Sequence, residues 1–148
     1  MLKSKVIFQA LEKINSKIKE LEIIADEVKL SLLSDTKSSA GDKHETSRAM
    51  VQLEQEKLTK QQGELLQMRT VLNQINPEII HRQVGLGSLI NTSLGWYFLS
   101  VGLGQISVDG AIVFALNPHA PLGKILIGKR VGEEVVFNGN TLEILEVY

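Results

Sequence analysis

Apolar residues recur along the first half of the chain at alternating gaps of four and three. Ile7, Leu11, Ile14, Ile18, Leu21, Ala25, Val28 and Leu32 keep that alternation without a polar interruption. An apolar period of seven held over more than three heptads marks a helix with a narrow packing seam. The pattern stops in a polar, small stretch from Ser34 to His44 that contains Gly41. It resumes at Val51, Glu54, Leu58, Gln61, Leu65, Met68, Leu72 and Ile75, where six of the eight positions are apolar. Two heptad helices joined by a short break predict an antiparallel α-helical coiled-coil hairpin with its tip at residues 34–45. The first helix, Ile7 to Leu32, would reach roughly 40 Å at 1.5 Å per residue. A dimerising coiled coil is the alternative, because one heptad pattern serves both arrangements. Ile23, Ile24, Leu30 and Leu33 fall off the seam, as dimer contacts or as places where the arm's base meets the second half.

Beyond Pro77 the period changes. Val84–Thr92, Gly95–Val101, Gln105–Val108 and Ala111–Ala115 are short runs rich in β-branched and aromatic residues, punctuated by glycine, and read as strands. Asp109-Gly110 is a type I′ hairpin signal between two of them. Pro121–Ile127 reads as a short helix, with Pro121 suited to its first turn and Gly128 to its end. Glu134–Asn138 and Thr141–Tyr148 then flank a second turn at Gly139-Asn140. The expected class is α+β: a helical hairpin over residues 1–76 and a small antiparallel sheet domain with one short helix over residues 77–148. Pro77 marks the boundary, since it disfavours helix at Asn76.

Composition sharpens that division. The chain has 148 residues, and its first 76 hold 12 Lys+Arg and 11 Asp+Glu but only two glycines and no proline. The rest holds the other ten glycines, all three prolines, Trp96 and both tyrosines. Apolar residues make up 43%, enough for a core of ordinary size. The net charge of −1 argues against a protein that holds nucleic acid by bulk charge. The absence of cysteine excludes disulfide scaffolds, thiol catalysis and cysteine-rich metal sites. No apolar run approaches the ~20 residues that span a bilayer, and the N-terminal stretch lacks the pattern of a signal peptide, so a cytoplasmic chain is expected.

Motifs for catalysis within the chain are scarce. HExxH, GxSxG and a phosphate-cradling loop are all missing from the sequence. Gly85-Leu86-Gly87 and Gly102-Leu103-Gly104 are not followed by long helical patterns, which argues against a dinucleotide fingerprint. His81, beside Arg82, reads as a polar linker residue, and His119 as an exposed turn residue. The tip carries more chemistry. Asp42 and Glu45 are three apart at the start of the second helix, so they share a helical face. An Asp N-cap with Glu at N3 is a capping box and needs no function. Two carboxylates at the end of an arm also suit Mg²⁺, which keeps waters and takes further ligands from a partner. His44 between them is a poor magnesium ligand. Lys13, Lys17, Lys19, Lys29, Lys37, Lys43, Arg48, Lys57 and Lys60 lie along the arm, most of them interleaved with Glu. They form either a solvated flank or, if gathered on one side, a stripe for phosphate or protein.

The order of parts resembles the Gre transcript-cleavage factors of bacterial RNA polymerase, the GreA/GreB-like family. At the tip, Gly41-Asp42-Lys43-His44-Glu45 is similar to that family's Gly-Asp-x-x-Glu. The run from Pro121 to Val135 is similar to its C-terminal segment, which reads Pro-(Leu/Ile)-(Gly/Ala)-(Arg/Lys), then Gly-Lys, then a valine strand. The resemblance implies an FKBP-like second domain that docks on the polymerase and an arm that enters its secondary channel. It implies Asp42 and Glu45 as the catalytic and metal-holding carboxylates, steadying a Mg²⁺ shared with the polymerase active site and not bound stably by this protein alone. Lys43, Arg48, Pro121 and Leu122 would contact the polymerase. RNA polymerase would be the partner of a monomer or dimer. Nascent RNA and DNA would be met only within that complex, with no membrane involved. The factor would not be an enzyme itself but would stimulate the polymerase's own RNA cleavage. Where the family usually continues Asn-Ala-Glu-Tyr, this chain has Thr46-Ser47-Arg48-Ala49-Met50. A channel regulator without cleavage is therefore one alternative. An FKBP-like isomerase or coiled-coil interaction module that never meets polymerase is another.

Overall fold

The sevenfold period becomes two long helices. The computed structural model describes residues 1–35 and 41–148, with side chains described at all of these except 32, 34, 35 and 41–44. Helix α1 covers Lys3–Asp35 and helix α2 covers Gly41–Gln74, 33 and 34 residues respectively. Both run further into the polar stretch than the sequence pattern suggested, because small polar residues are tolerated in a helix whose seam is already packed. Burial follows the seam. On α1, Ile7, Ile14 and Ile18 are buried, and Leu11, Leu21, Ala25 and Val28 are half-buried. On α2, Leu58 and Leu72 are buried, Val51, Glu54, Leu65, Met68 and Ile75 are half-buried, and Gln61 is exposed. The off-seam residues Ile23, Ile24, Leu30 and Leu33 are exposed.

The chain forms two compact units. One is Ile14–Gln67; the other joins Met1–Lys13 to Met68–Tyr148. The first turns of α1 therefore belong with the sheet. That sheet has six strands: β1 Leu89–Thr92, β2 Gly95–Leu99, β3 Gly104–Val108, β4 Ala111–Leu116, β5 Glu134–Phe137 and β6 Asn140–Val147. Their spatial order is β3-β4-β2-β1-β6-β5. Four neighbouring pairs are antiparallel; β2 and β4 run parallel, with Trp96 opposite Val113. The parallel pair arises because the β3–β4 hairpin folds back and inserts β4, not β3, beside β2. The expected first strand shortens to Leu89–Thr92. The preceding Val84 instead exchanges backbone hydrogen bonds with Lys129 and Gly128.

The two hairpin turns read from the sequence have left-handed backbone at two successive residues, as type I′ requires. Asp109 and Gly110 have φ of 51° and 80°, at the position read from the sequence. The second turn is Asn138-Gly139, with φ of 49° and 77°, one residue earlier than expected. Phe137 then pairs with Asn140, which opens β6. Helix α3, Pro121–Leu126, begins with proline at its first turn, where a missing N–H costs nothing. It lies over one sheet face, where Val84, Ile90, Leu99, Leu126, Val135, Leu142 and Ile144 form a buried cluster.

Two glycines make opposite predictions. Gly123 is buried, and a Cβ there would collide with the backbone carbonyl of Asn117 and lie 3.0 Å from that of Pro118. Gly63 sits inside α2 with nothing within 4 Å of an added Cβ. Urea unfolding is expected to show Gly123→Ala losing about 1–3 kcal/mol and Gly63→Ala gaining about 0.5–1 kcal/mol. Equal signs for the two would contradict this packing.

Candidate functional site

The tip residues lie in the unit formed by Ile14–Gln67. Asp42 lies within helix α2, Gly41–Gln74. The side chains of Asp42 and Lys43 lie outside the described residues. Glu45 is exposed on α2, and Arg48 follows three residues later, also exposed. Met50 and Leu53 continue the exposed surface, at 67% and 65% of their full exposure. An exposed carboxylate early in a helix sits where the helix dipole favours negative charge. Carboxylate oxygens are hard donors of the kind magnesium takes. Among the described residues no three His, Asp or Glu side chains come together as a metal site.

Pro121 and Leu122 lie in the other unit. Pro121 is exposed at the start of α3, while Leu122 is half-buried against the cluster beneath that helix. Leu122 therefore serves the core at least as much as the surface. His119 is exposed, as expected, and its N–H donates to Asn117 Oδ1 at 2.8 Å.

The lysines of α1 include three tethers that periodicity gave no sign of. Lys3 is only 6% exposed, and its ammonium donates to the Ile79 carbonyl. Lys5 pairs with Asp109 at 3.0 Å, an exposed pair worth well under ~1 kcal/mol. Lys13 donates to the carbonyls of Leu103 and Gln105 at 3.0 and 2.7 Å, so it is no member of a free basic stripe. Charge-assisted bonds to carbonyls are the stronger kind. Burial holds the Lys3 pKa below its usual value. His81 is not the plain linker residue that its sequence position suggested. It is half-buried and lines a cleft of ≈160 Å³ with Val71, Gln74, Ile75, Asn76, Ile79 and Leu86. Burial first, and the nearby Lys3 ammonium second, push its pKa below 6.5.

No family model matches the chain. No curated protein matches it either. Two solved structures resemble it along most of its length. A structure of the transcription factor Gfh1 shares 15% identity over 95% of this chain and 94% of its own, with a TM-score of 0.37. The GreA factor homolog 1 (Gfh1) protein of Thermus thermophilus shares 16% identity over 96% of this chain and 92% of its own, with a TM-score of 0.35. Among the described residues no helix is long and apolar enough to cross a membrane.

His81 gives a pH prediction with a definite sign. Its pKa is depressed in the folded chain, so the unfolded chain takes up a proton first as pH falls below 6.5. Stability is complete above that pH and declines on acidification through it. Urea unfolding at pH 7 and pH 5 is expected to show that loss diminished in His81→Gln. NMR titration of Lys3→Met should move the His81 midpoint upward; an unchanged midpoint would remove Lys3 from the account.

Proposed function

We propose that this chain is a transcription elongation factor of the Gre type, which binds RNA polymerase and carries its helical tip into the secondary channel. The observation that supports the reading is the placement of Asp42 and Glu45. They lie three residues apart near the beginning of α2, a helix of 34 residues that follows the 33 residues of α1. Residues three apart share one side of a helix. Glu45 is exposed, so its carboxylate is available to a site completed by a partner. A Mg²⁺ shared with the polymerase would supply the water that hydrolyses backtracked RNA. The chain's own residues would hold charge: Asp42 and Glu45 toward the cation, Lys43 and Arg48 toward the channel wall. The exposed Pro121 and its neighbour Leu122 would meet the polymerase outside the channel.

A second reading has its own support. The tip continues Thr46-Ser47-Arg48-Ala49-Met50, without a further acid or an aromatic. A tip with one carboxylate pair and an apolar Met50 suits a regulator of channel access as well as a cleavage factor. Halted, backtracked elongation complexes separate the readings. Wild type is expected to shorten the RNA, and Asp42→Asn with Glu45→Gln to bind equally but cleave about 100-fold more slowly, the scale for removing an electrostatic stabiliser. Binding without cleavage by wild type would favour the regulator. Absence of binding would overturn both.

A further inference from the structure

The sheet has a second exposed patch that the polymerase reading does not use. Strand register places Glu146, Asn91, Trp96, Val113 and Ile106 in one row across β6, β1, β2, β4 and β3. Val113 and Ile106 are buried, Trp96 and Asn91 half-buried, and Glu146 exposed. The row thus passes from core to solvent on the face opposite α3. At its open end, the rings of Trp96 and Tyr148 stack with centroids 6.3 Å apart and planes 24° apart. The Asn91 amide donates to Glu146 Oε2 at 3.0 Å. Partial desolvation first, and the neighbouring Glu146 carboxylate second, raise the pKa of the Tyr148 phenol.

A β-bulge extends the patch. The β1–β6 register shifts between Asn91 and Thr92, which oppose Glu146 and Ile144. The extra residue, Leu145, brings Glu143 and Glu146 to the same face although they are three apart. Glu143 stands directly opposite Glu134 on β5, and both are exposed. Like charges facing each other across strands destabilise the pair. Neither carries an ion pair among the described residues.

We propose that this face docks an arginine- or lysine-bearing segment of a partner protein, with the cation lying over Trp96 and Tyr148 and paired to Glu146. Aromatic faces attract cations, and a neighbouring carboxylate adds charge complementarity. Asn91 already orients that carboxylate, so less ordering remains for binding to complete. A second cation of the segment, a few residues away, relieves the Glu134–Glu143 repulsion. Nucleic acid is disfavoured here, since a phosphate backbone would meet three glutamates. The inference is independent of the tip and of any channel.

Trp96 is the sole tryptophan, so its fluorescence reports on this face in the intact protein. The probes are a short peptide with two arginines spaced by glycines, its glutamate counterpart, and a single-stranded oligonucleotide. The arginine peptide is expected to change Trp96 emission saturably, and the other two are not. Glu146→Gln should weaken binding about five- to ten-fold, the scale of one charge pair. Glu20→Gln, on the arm, should leave it unchanged, and rising salt should weaken it. Absence of a saturable response up to millimolar peptide overturns the proposal. So does equal binding to Glu146→Gln, or a preference for the oligonucleotide. Circular dichroism of Glu146→Gln shows whether a lost response reflects binding or unfolding. If the variant unfolds, Trp96→Phe, read by calorimetry, must show the same loss for the proposal to stand.

Discussion

One helix belongs to two structures at once. The first turns of α1 pack with the sheet, and the remainder builds the arm with α2. A two-helix hairpin has a single apolar seam and is marginal by itself, because one seam buries little surface against the entropy of ordering some sixty residues. Sharing α1 solves this. Val6 and Ala10 are fully buried at the sheet end, and Ile14 is fully buried where the arm begins. The Lys3, Lys5 and Lys13 bonds fix the rotation of α1 about its axis at that end.

Much of this was legible in the sequence. The seam was visible because burial and helical period coincide, and every described α1 residue chosen by spacing is buried or half-buried. The Asp109-Gly110 turn was legible because type I′ geometry needs residues that accept left-handed backbone. Asn138-Gly139 meets the same requirement, but Gly139-Asn140 looks equally good in one dimension. Only the pairing of Phe137 with Asn140 decides between them. The parallel β2–β4 pair was hidden, because strand order is a property of three dimensions and runs of apolar residues do not encode it.

The site was partly legible for similar reasons. Asp42 and Glu45 stand out because spacing on a helix is a local property. Lys13 resembled its neighbours in charge and spacing, and only its position beside β3 sets it apart. His81 looked like linker because it stands beside Arg82, just past the boundary at Pro77. Its desolvation comes from Val71 and Ile75 on α2 and from Leu86 beyond it. Trp96 and Tyr148 are 52 positions apart, and strand register alone makes them neighbours.

Strand β3 ends the sheet, and an end strand normally offers open carbonyls as a template for another chain. Lys13 takes the carbonyls of Leu103 and Gln105 for itself. The same side chain that ties the first turns of α1 to the sheet therefore covers part of one of its borders.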